Sequence, residues 1–418
     1  MPTFSIPLSG LTASSEALST IANNLANLNT TGYKDQRAQF QDLFYQSLGS
    51  TGAATGSGNP ILQGAGVKIG SIGSLFTQGS VSSSGVNTDV AIQGEGFFVA
   101  QGSNGGVTYT RAGDFSIDKS GVLETADGGQ VMGYVAVNGA ISPGQALAPL
   151  NLGTGQLSPP TATTNVSTTM NLDATAAVGG TFSAPVTVFD SLGASHVLSF
   201  NFAKTGSGAW SYTVTIPAAD VGAAGPEPVT LTSGALAFDG AGNLTGPAAN
   251  IAGITASGFA DGANPLTFTW QVYDKSGGPL VHQDAAPSST SSTLQDGNSS
   301  GSLVTFNIGS DGTVSGSFSN GRSALVAQLA LATFGNEQGL LRTGNNAFVP
   351  TLASGQAVVG TPGAGGRGTL SGGALELSNV DIATEFAALI VAQRTFQANA
   401  KAVTTFDQVT QDTINLKQ

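Results

Sequence analysis

Glycine is distributed unevenly along this 418-residue chain. All 59 glycines except Gly10 lie between Gly32 and Gly373. Glycine destabilises a helix interior because it loses more backbone freedom on folding than any other residue. The two glycine-poor ends can therefore form long helices, whereas the middle favours turns and short strands. This distribution predicts that both termini join in one helical element, with a different fold inserted between them.

An apolar stripe runs along the N-terminal stretch, with gaps of three and four residues between its members. Its positions are Leu8, Leu11, Ser15, Leu18, Ala22 and Leu25, with Ile21 and Leu28 widening it. A heptad seam of this kind predicts a helix that packs against other helices. The alternative is that the stripe packs on a globular core of its own chain.

The C-terminal stretch repeats the heptad pattern over a longer distance. Its seam positions are Ile382, Phe386, Leu389, Gln393, Phe396, Ala400, Val403, Asp407, Thr410 and Ile414. Three of these are polar, and polar seam residues fix register at a cost in stability, which suits specific subunit contacts. Ser378 with Asp381 resembles a capping box, so a helix is predicted from Asn379 to Leu416. At ~1.5 Å per residue it would span roughly 57 Å, too long for its own domain to cover.

The composition favours a secreted, non-catalytic protein. Charged residues make up 9% of the chain, against about 25% in an ordinary soluble domain. The net charge of −12 argues against nucleic acid or anionic lipid as a partner. Without cysteine, neither a disulfide framework nor a thiolate metal site can form. The sequence shows no secretory signal peptide and no membrane-spanning run, which predicts export without a cleavable signal, or a cytoplasmic protein.

Short apolar strands separated by Asp/Gly turns fill the middle of the chain. The first group lies at 91–100, 107–111, 303–308 and 323–334. The second group lies at 185–190, 196–202, 210–216 and 266–273. The Ser/Thr-rich segments 154–169 and 286–302 that border the second group are typical of linkers. Residues 146–300 carry two lysines and nine acidic residues, which predicts a solvated, outward part.

The simplest topology is nested. The predicted fold is mainly β with α-helical termini, in which paired N- and C-terminal coiled-coil helices accompany two nested β-domains. The predicted parts are a helical coiled-coil domain (1–30 and 377–418), a connecting segment (31–70 and 366–376), an inner β-domain (71–145 and 301–365) and an inserted outer β-domain (146–300).

Signals for cofactor or metal binding are weak. Gly363, Gly365 and Gly368 satisfy G-x-G-x-x-G, but no βαβ pattern follows them, so we predict no phosphate or cofactor site. His196 and His282 are the only histidines, and neither lies in a spacing typical of metal ligands or a catalytic triad. We therefore predict no catalytic residues, no cofactor and no metal.

Two patterns leave a carbohydrate-related role open. Acidic residues between Asp173 and Asp296 are scattered, so the sequence alone does not exclude a glycosidase-like carboxylate pair. Trp210 and Trp270 are compatible with a sugar platform, although a buried core position is the simpler interpretation. A secreted β-rich adhesin or carbohydrate-binding protein with coiled-coil ends is therefore the alternative of a different class.

Several motifs together resemble the bacterial flagellar rod and hook proteins. They are LANLNTTGYK (25–34), GEGFFVA (94–100), YTRAGDFSID with GVLETADGGQVMGY (109–134) and SNVDIATEFAALIVAQRTFQANAKAV (378–403). Within that family, VFDSLGASH (188–196) and FGNEQGLLRTGNNAF (334–348) look like hook-protein segments. The distal rod protein, which shares the ends but lacks so large an insertion, is the alternative. Phe396 stands where the family often has tyrosine, which puts only a hydroxyl contact in doubt.

The resemblance implies a structural subunit of the flagellar hook, a curved tube that joins rod to filament and transmits torque as a universal joint. It implies self-association into a helical homopolymer and an extracellular location next to the basal body. It also implies export by the flagellar type III apparatus, assembly under a hook cap scaffold, and end contacts with the distal rod protein and the hook-filament junction protein.

The candidate assembly residues lie on and beside the terminal helices. Asn27, Asn29 and Gly32 form a helix stop, because Asn and Gly tolerate left-handed geometry, and the amides can also bridge subunits. For the polar residues at 393–399 the pattern alone favours a solvated face, whereas the resemblance favours subunit contacts. The full set is Leu11, Leu18, Ile21, Leu25, Asn27, Asn29, Gly32, Tyr33, Asn379, Asp381, Phe386, Leu389, Gln393, Arg394, Phe396, Gln397, Asn399 and Val403.

Overall fold

The chain forms two compact units in a computed structural model that describes residues 5–44, 46–51, 59–102, 104–137, 139–142, 144–153 and 155–416. The first unit comprises Met1–Gly153, Thr305–Gly316 and Ser323–Gln418, and the second comprises Thr154–Val304 and Ser317–Arg322. Within the described ranges, strands predominate and one α-helix lies near each end of the chain, which confirms the predicted fold class. Neither of these helices is long and apolar enough to cross a membrane.

The first unit contains helix α1 (Ser5–Ala26) and helix α2 (Ile382–Asn415). Its strands before the second unit are β1 (Gln36–Asp42), β2 (Gln46–Thr51), β3 (Asn59–Gln63), β4 (Val67–Ser74), β5 (Val81–Ser83), β6 (Val90–Gln93), β7 (Phe97–Gln101), β8 (Val107–Thr110), β9 (Ser116–Ile117), β10 (Leu123–Glu124), β11 (Gln130–Val135) and β12 (Ala148–Pro149).

The strands that belong wholly to the second unit are β13 (Leu157–Ser158), β14 (Asn165–Asn171), β15 (Thr181–Phe189), β16 (Ser195–Gly206), β17 (Ala209–Ile216), β18 (Val229–Phe238), β19 (Leu244–Gly246), β20 (Ile251–Ala256), β21 (Leu266–Gln271), β22 (Val281–His282) and β23 (Ser289–Gln295). β24 (Gly301–Ile308) and β25 (Thr313–Phe318) contribute residues to both units. The first unit resumes with β26 (Ser323–Leu329), β27 (Leu331–Thr333), β28 (Leu341–Gly344), β29 (Ala347–Val349), β30 (Val358–Gly360), β31 (Thr369–Gly372) and β32 (Ala374–Glu376). Short 3₁₀ helices occur at Ala218–Val221 and Glu337–Gly339.

Strand β7 is central to the β-part of the first unit. It pairs antiparallel with β8, β11 and β27, so segments from before and after the second unit share one sheet. Phe97 and Phe348 lie in one apolar cluster of this unit, with ring centroids 5.7 Å apart. The predicted strand 91–100 is divided into β6 and β7, because Gly94 and Gly96 adopt φ of +106° and +126°, which are open to glycine.

The glycine of the YTRAG motif lies where no side chain fits. A Cβ added at Gly113 would lie 1.7 Å from the carbonyl oxygen of Val90. We expect Gly113→Ala to destabilise the first unit by at least ~2 kcal/mol, because the backbone must shift to relieve the clash. Thermal unfolding followed by circular dichroism measures this. The control is Gly335→Ala, since nothing lies within 4 Å of a Cβ at Gly335; equal stability of the two variants would contradict the explanation.

The second unit packs two sheets around one apolar core. β15 to β19 form an antiparallel sheet in chain order, and β14 pairs with β21, β22 and β23 in the other. Side chains alternate between buried and partly exposed along β17, as expected for a strand with one face on a core. Trp210 and Trp270 are buried in this core, and the Trp270 ring lies 4.9 Å from that of Phe200. Both tryptophans are therefore core residues, as the simpler interpretation predicted.

The two segments predicted as linkers contain paired strands, so that prediction was wrong. Most of β14 lies in the first segment and all of β23 in the second, and the two strands pair antiparallel from Val166↔Gln295 to Asn171↔Ser289. Along β14, Val166, Thr168 and Met170 point inward, and Thr168 Oγ1 accepts from Trp270 Nε1 at 2.8 Å. Threonine is β-branched and suits a strand, so Ser/Thr-rich composition alone does not separate a polar strand from a linker.

α1 and α2 run antiparallel along each other. Near one end of the pair, Asn24 Nδ2 donates to Glu385 Oε2 at 3.3 Å. Towards the other end, a Cβ added at Gly10 would lie 2.8 Å from Asn399 Nδ2. The termini therefore meet as one helical pair, which agrees with the prediction made from the glycine distribution.

The start of α2 differs in detail from the capping box predicted at Ser378. Asp381 is the N-cap, and its side chain accepts from the Thr384 backbone N–H at 2.7 Å. These hydrogen bonds hold the pKa of the Asp381 carboxyl below its usual range. A carboxylate at this position satisfies a free N–H of the first turn and the positive end of the helix dipole. The helix consequently begins at Ile382 and not at Asn379.

Candidate functional site

The candidate functional site is the pair of terminal helices. The buried residues of the pair are Pro7, Ala13, Ser14, Thr20 and Asn24 in α1 and Glu385 and Ala392 in α2. Most of these side chains are short, which lets the two helices approach closely. Ser14 Oγ donates to Gly10 O at 2.7 Å, and Thr20 Oγ1 donates to Glu16 O at 2.9 Å. The buried hydroxyls are therefore satisfied within their own helix.

The apolar stripe predicted for α1 flanks this contact. Leu11, Leu18, Ile21 and Leu25 are half-buried, and Leu8 is 57% exposed. The heptad pattern did not mark the buried centre of the α1–α2 contact, because small and hydroxyl side chains occupy that centre. A stripe that its own chain covers only in part is available for other contacts, and the assembly role of these residues stays a prediction.

The stripe predicted for α2 is partly covered in its middle and exposed at its end. The half-buried members are Leu389, Phe396, Ala400 and Val403. From Thr404 to Leu416 every residue is exposed, including the apolar side chains of Val409 and Ile414. Near the start of α2, Phe386 is 52% exposed. A single chain thus presents apolar helix surface to solvent at both ends of α2.

The polar residues predicted on α2 divide into two groups. Gln393, Arg394 and Gln397 are exposed, and Arg394 Nη1 lies 3.4 Å from Gln397 Oε1. Asn399 is half-buried and lies against Gly10 of α1. In the single chain the first group lies on a solvated face, and a role for it in subunit contacts stays a prediction.

A groove of about 850 Å³ opens between α1, α2 and the β1–β4 strand pair. Its apolar lining includes Ile6, Ala13, Ile21, Phe40, Val67 and Val391. Phe40 and Val391 are 48% and 65% exposed, so large apolar surface faces the groove's open side. No sequence pattern marks this groove, because its walls combine α1, β1 and β4 from the N-terminal part of the chain with α2 from the C-terminal part.

Four stretches of the chain match described protein families. The matches are the flagella basal body rod protein family at 6–34, the flagellar hook protein FlgE/F/G D1 domain at 91–169, the flagellar basal body protein FlaE D2 domain at 151–298 and the flagellar basal body rod FlgEFG protein C-terminal family at 371–416. The first and last of these matches cover most of α1 and all of α2.

Named relatives align with almost the whole chain. The flagellar hook protein FlgE of Escherichia coli (strain K12) is 36% identical over 427 residues, covering 99% of this chain and 100% of that protein. FlgE of Salmonella typhimurium is 35% identical over 429 residues, with 99% and 100% covered, and FlgE of Treponema pallidum is 35% identical over 457 residues, with 98% of each covered. The chain belongs to the flagellar hook protein family. The resemblance inferred from the sequence motifs is thereby confirmed.

In this member of the hook protein family, side-chain amides join the two chain ends at the base of the helices. Asn24 Nδ2 donates to Asp35 Oδ1 and to Gln36 O (2.8 Å), and Asn24 Oδ1 accepts from Gln36 N at 3.0 Å. Asn379 accepts from Asp35 N at 2.7 Å and donates to Leu75 O at 2.8 Å. Burial raises the pKa of the Asp35 carboxyl. Sequence reasoning found Asn379 but missed Asn24, since a lone Asn on a helix has no distinguishing pattern.

The residues predicted as a helix stop follow α1 directly. Asn27 Nδ2 donates to Asn23 O at 2.9 Å, and Asn29 is exposed. Gly32 has a φ of +65°, which glycine adopts without strain. Tyr33 is buried and donates through its hydroxyl to Asn23 Oδ1 at 3.1 Å. Burial raises the pKa of the Tyr33 hydroxyl. An intersubunit role for these amides stays a prediction.

A buried ion cluster also connects the two ends. Lys34 Nζ lies 2.6 Å from Glu376 Oε1, and Arg111 Nη1 lies 3.5 Å from Glu376 Oε2. Gly79 N donates to Glu376 Oε1 at 2.8 Å, and Lys34 Nζ donates to Thr77 O at 2.9 Å. The three charged side chains are at most 2% exposed. Burial lowers the pKa of Lys34, and the Glu376 carboxylate opposes that effect.

Proposed function

We propose that this chain is the structural subunit of a bacterial flagellar hook and polymerises through its paired terminal helices. The observation that carries the proposal is the exposed end of α2, where Val409, Ile414 and Leu416 present apolar side chains to solvent. The groove beside the same helical pair is a second, different apolar surface. When two different surfaces meet on successive copies, the contact is heterologous, and it grows an open helical assembly.

The polymer we propose is a curved tube that joins rod to filament and transmits torque as a universal joint. Bending such a tube requires outer contacts that slide, and small, polar, hydrated contacts slide more readily than interlocked apolar ones. The second unit supports this proposal, because six of the seven residues of β23 are exposed and most of them are serine or threonine.

We further propose the four-part division made from the sequence. Its parts are a helical domain (1–30 and 377–418), a connecting segment (31–70 and 366–376), an inner β-domain (71–145 and 301–365) and an outer β-domain (146–300). Strand pairing supports an inner domain built from two segments, since β11 pairs with β26 and β29 pairs with β8. The compactness of the second unit supports the outer domain.

The end partners of the polymer are proposed from the family likeness. They are the distal rod protein and the hook-filament junction protein. The hook cap scaffold is the proposed partner during assembly, and the flagellar type III export apparatus is the proposed partner during export. We propose that the chain is exported through that apparatus without a cleavable signal peptide and acts outside the cell, without catalysis. The net charge of −12 supports protein partners in preference to nucleic acid.

Electron microscopy of the purified full chain after concentration or salt-induced assembly tests the proposed function. We expect tubes of uniform diameter with a preferred curvature. Closed oligomers of fixed size would contradict it, because they require an interface that closes on itself and does not propagate.

Removal of the second unit is expected to leave the first unit folded. The apolar cluster of the first unit contains Phe97, Tyr109, Met132 and Phe348, and its described members include no residue of Thr154–Val304. A variant with that range replaced by a short Gly/Ser linker should keep the unfolding transition of the first unit and form tubes of altered curvature. Calorimetry and electron microscopy measure the two effects. Complete unfolding of the variant would show that the division cuts through a shared core.

A further inference from the structure

Three carboxylates of the second unit surround one imidazole. His196, near the start of β16, lies with Nε2 3.0 Å from Asp190 Oδ2 and with Nδ1 3.1 Å from Asp220 Oδ2. Asp261, in the loop between β20 and β21, brings a carboxylate oxygen within 4.8 Å of a His196 ring nitrogen. Donor atoms of Asp190, His196 and Asp261 all lie within 4.8 Å of one another.

The local structure holds two of these groups in fixed orientations. Asp190 is buried, and its Oδ1 accepts the backbone N–H groups of Leu192 (2.8 Å) and Ala194 (2.9 Å), which directs Oδ2 towards the ring. The His196 ring is also buried and packs on Phe259, with ring centroids 4.6 Å apart. Preorganised donors lose little entropy when they bind an ion.

The cluster carries more negative than positive charge. In its cationic form the His196 ring contributes one positive charge, against the three carboxylates of Asp190, Asp220 and Asp261. A divalent cation in the position of the Nε2 proton would neutralise more of this charge than the proton does.

We propose that Asp190, His196 and Asp261 form a binding site for one divalent transition-metal ion, for which Zn²⁺ is the best match. Zinc accepts a mixture of imidazole nitrogen and carboxylate oxygen, and its tetrahedral ligands, ~2.0 Å from the metal, lie roughly 3.3 Å apart. The 3.0 Å between His196 Nε2 and Asp190 Oδ2 is close to that spacing. Asp261 is exposed, so it can adjust its position, and solvent can supply the fourth ligand.

Asp220 completes the arrangement from the other side of the ring. A metal-binding histidine commonly donates its second N–H to a carboxylate, which fixes the ring orientation and makes the ring a better ligand. Asp220 Oδ2 is placed to accept that proton from Nδ1. When the metal binds, the Nε2 proton leaves to solvent and the nitrogen lone pair forms the bond to the metal.

The ion would connect two loops of the second unit. Asp190 and His196 flank the turn between β15 and β16, whereas Asp261 belongs to the loop after β20. A ligand that binds only the folded state stabilises it in proportion to its occupancy. The metal would therefore stabilise the second unit and leave the first unit unaffected.

Zinc titration of the chelator-treated full chain tests the site. We expect isothermal calorimetry to detect one Zn²⁺ per chain, with Ca²⁺ binding at least tenfold more weakly because Ca²⁺ prefers oxygen ligands. Zinc should also raise the unfolding temperature of the second unit. The two tryptophans report that transition, because both lie in the second-unit core.

Asp261→Asn is the decisive variant, because Asp261 is exposed and the change is isosteric. It should weaken zinc binding at least tenfold without lowering the stability of the zinc-free protein. Asp239→Asn is the matched control, because the two aspartates have the same local hydrogen bond. Asp261 Oδ1 accepts from Ala263 N at 3.0 Å, and Asp239 Oδ1 accepts from Ala241 N at 2.9 Å. The control should bind zinc like the original chain. Asp220→Asn should weaken binding about 10–100-fold.

Three results would overturn the proposal. They are no stoichiometric zinc binding by the original chain, equal zinc affinity of the Asp261→Asn and Asp239→Asn variants, and Ca²⁺ binding as tight as Zn²⁺ binding. Either of the first two results would mean that the contacts of His196 are structural hydrogen bonds and not a metal site. The third result would exclude the ring nitrogen as a ligand.

Discussion

Replacement of both Leu389 and Phe396 by aspartate is expected to abolish polymerisation. The two residues lie seven positions apart on α2, so they share one face of the helix, and both are half-buried in the single chain. A neighbouring copy that covers them would bury two unpaired carboxylates, at a cost of several kcal/mol per site. Every subunit repeats the defect at every contact. Sedimentation velocity should therefore show only monomer at concentrations where the original chain forms tubes.

The control for this variant keeps the apolar volume of both positions. Leu389→Met with Phe396→Tyr should still polymerise, since both changes retain large side chains that pack. In the aspartate variant the β-transitions measured by circular dichroism should be unchanged, because neither α1 nor α2 contributes a described residue to the apolar clusters around Phe97 and Trp270. Tubes of normal length would show that this face is not intersubunit. Loss of a β-transition would show that it belongs to a globular core.

Local sequence patterns predicted many of the helices and strands. The alternation along β17 and the glycine-poor ends each report a preference that acts within a few residues. The linker prediction failed where two polar segments, β14 and β23, pair across more than a hundred residues. Pairing partners at that distance leave no periodic signal in either segment. Strands with apolar alternation were therefore recoverable from the sequence, whereas polar strands such as β14 and β23 and the pairing between strands were not.

The candidate site was recoverable only in outline. Leu389 and Phe396 lie on the helical pair as the heptad pattern predicted, but the buried centre of the pair is formed by side chains such as Ser14 and Thr20. Their hydroxyls donate hydrogen bonds to backbone carbonyls of the preceding turn, which lowers the free-energy cost of burying them. A search for apolar residues at heptad spacing does not detect such positions. The groove and the hydrogen-bond network around Asn24 at the base of the helices depend on tertiary contacts alone.

Glu376→Ala is expected to destabilise the first unit by about 3–5 kcal/mol, the range found when one partner of a buried ion pair is removed. Glu376 faces both Lys34 and Arg111, and it also accepts the Gly79 N–H. Alanine would leave two buried cations without their carboxylate. Chemical denaturation followed by far-ultraviolet circular dichroism measures the loss. Tryptophan fluorescence should not change, because Trp210 and Trp270 report the second unit.

Comparison with Lys34→Met tests whether Glu376 is the centre of the cluster. In that variant Glu376 keeps its contacts with Arg111 and with the Gly79 N–H, and methionine fills the volume of the lysine stem. The loss of first-unit stability should therefore be clearly smaller than for Glu376→Ala. Glu16→Ala, on the exposed face of α1, is the control and should change stability by less than ~0.5 kcal/mol. Equal losses for Glu376→Ala and Lys34→Met would mean that the Lys34–Glu376 pair acts alone and that Arg111 contributes no compensating charge.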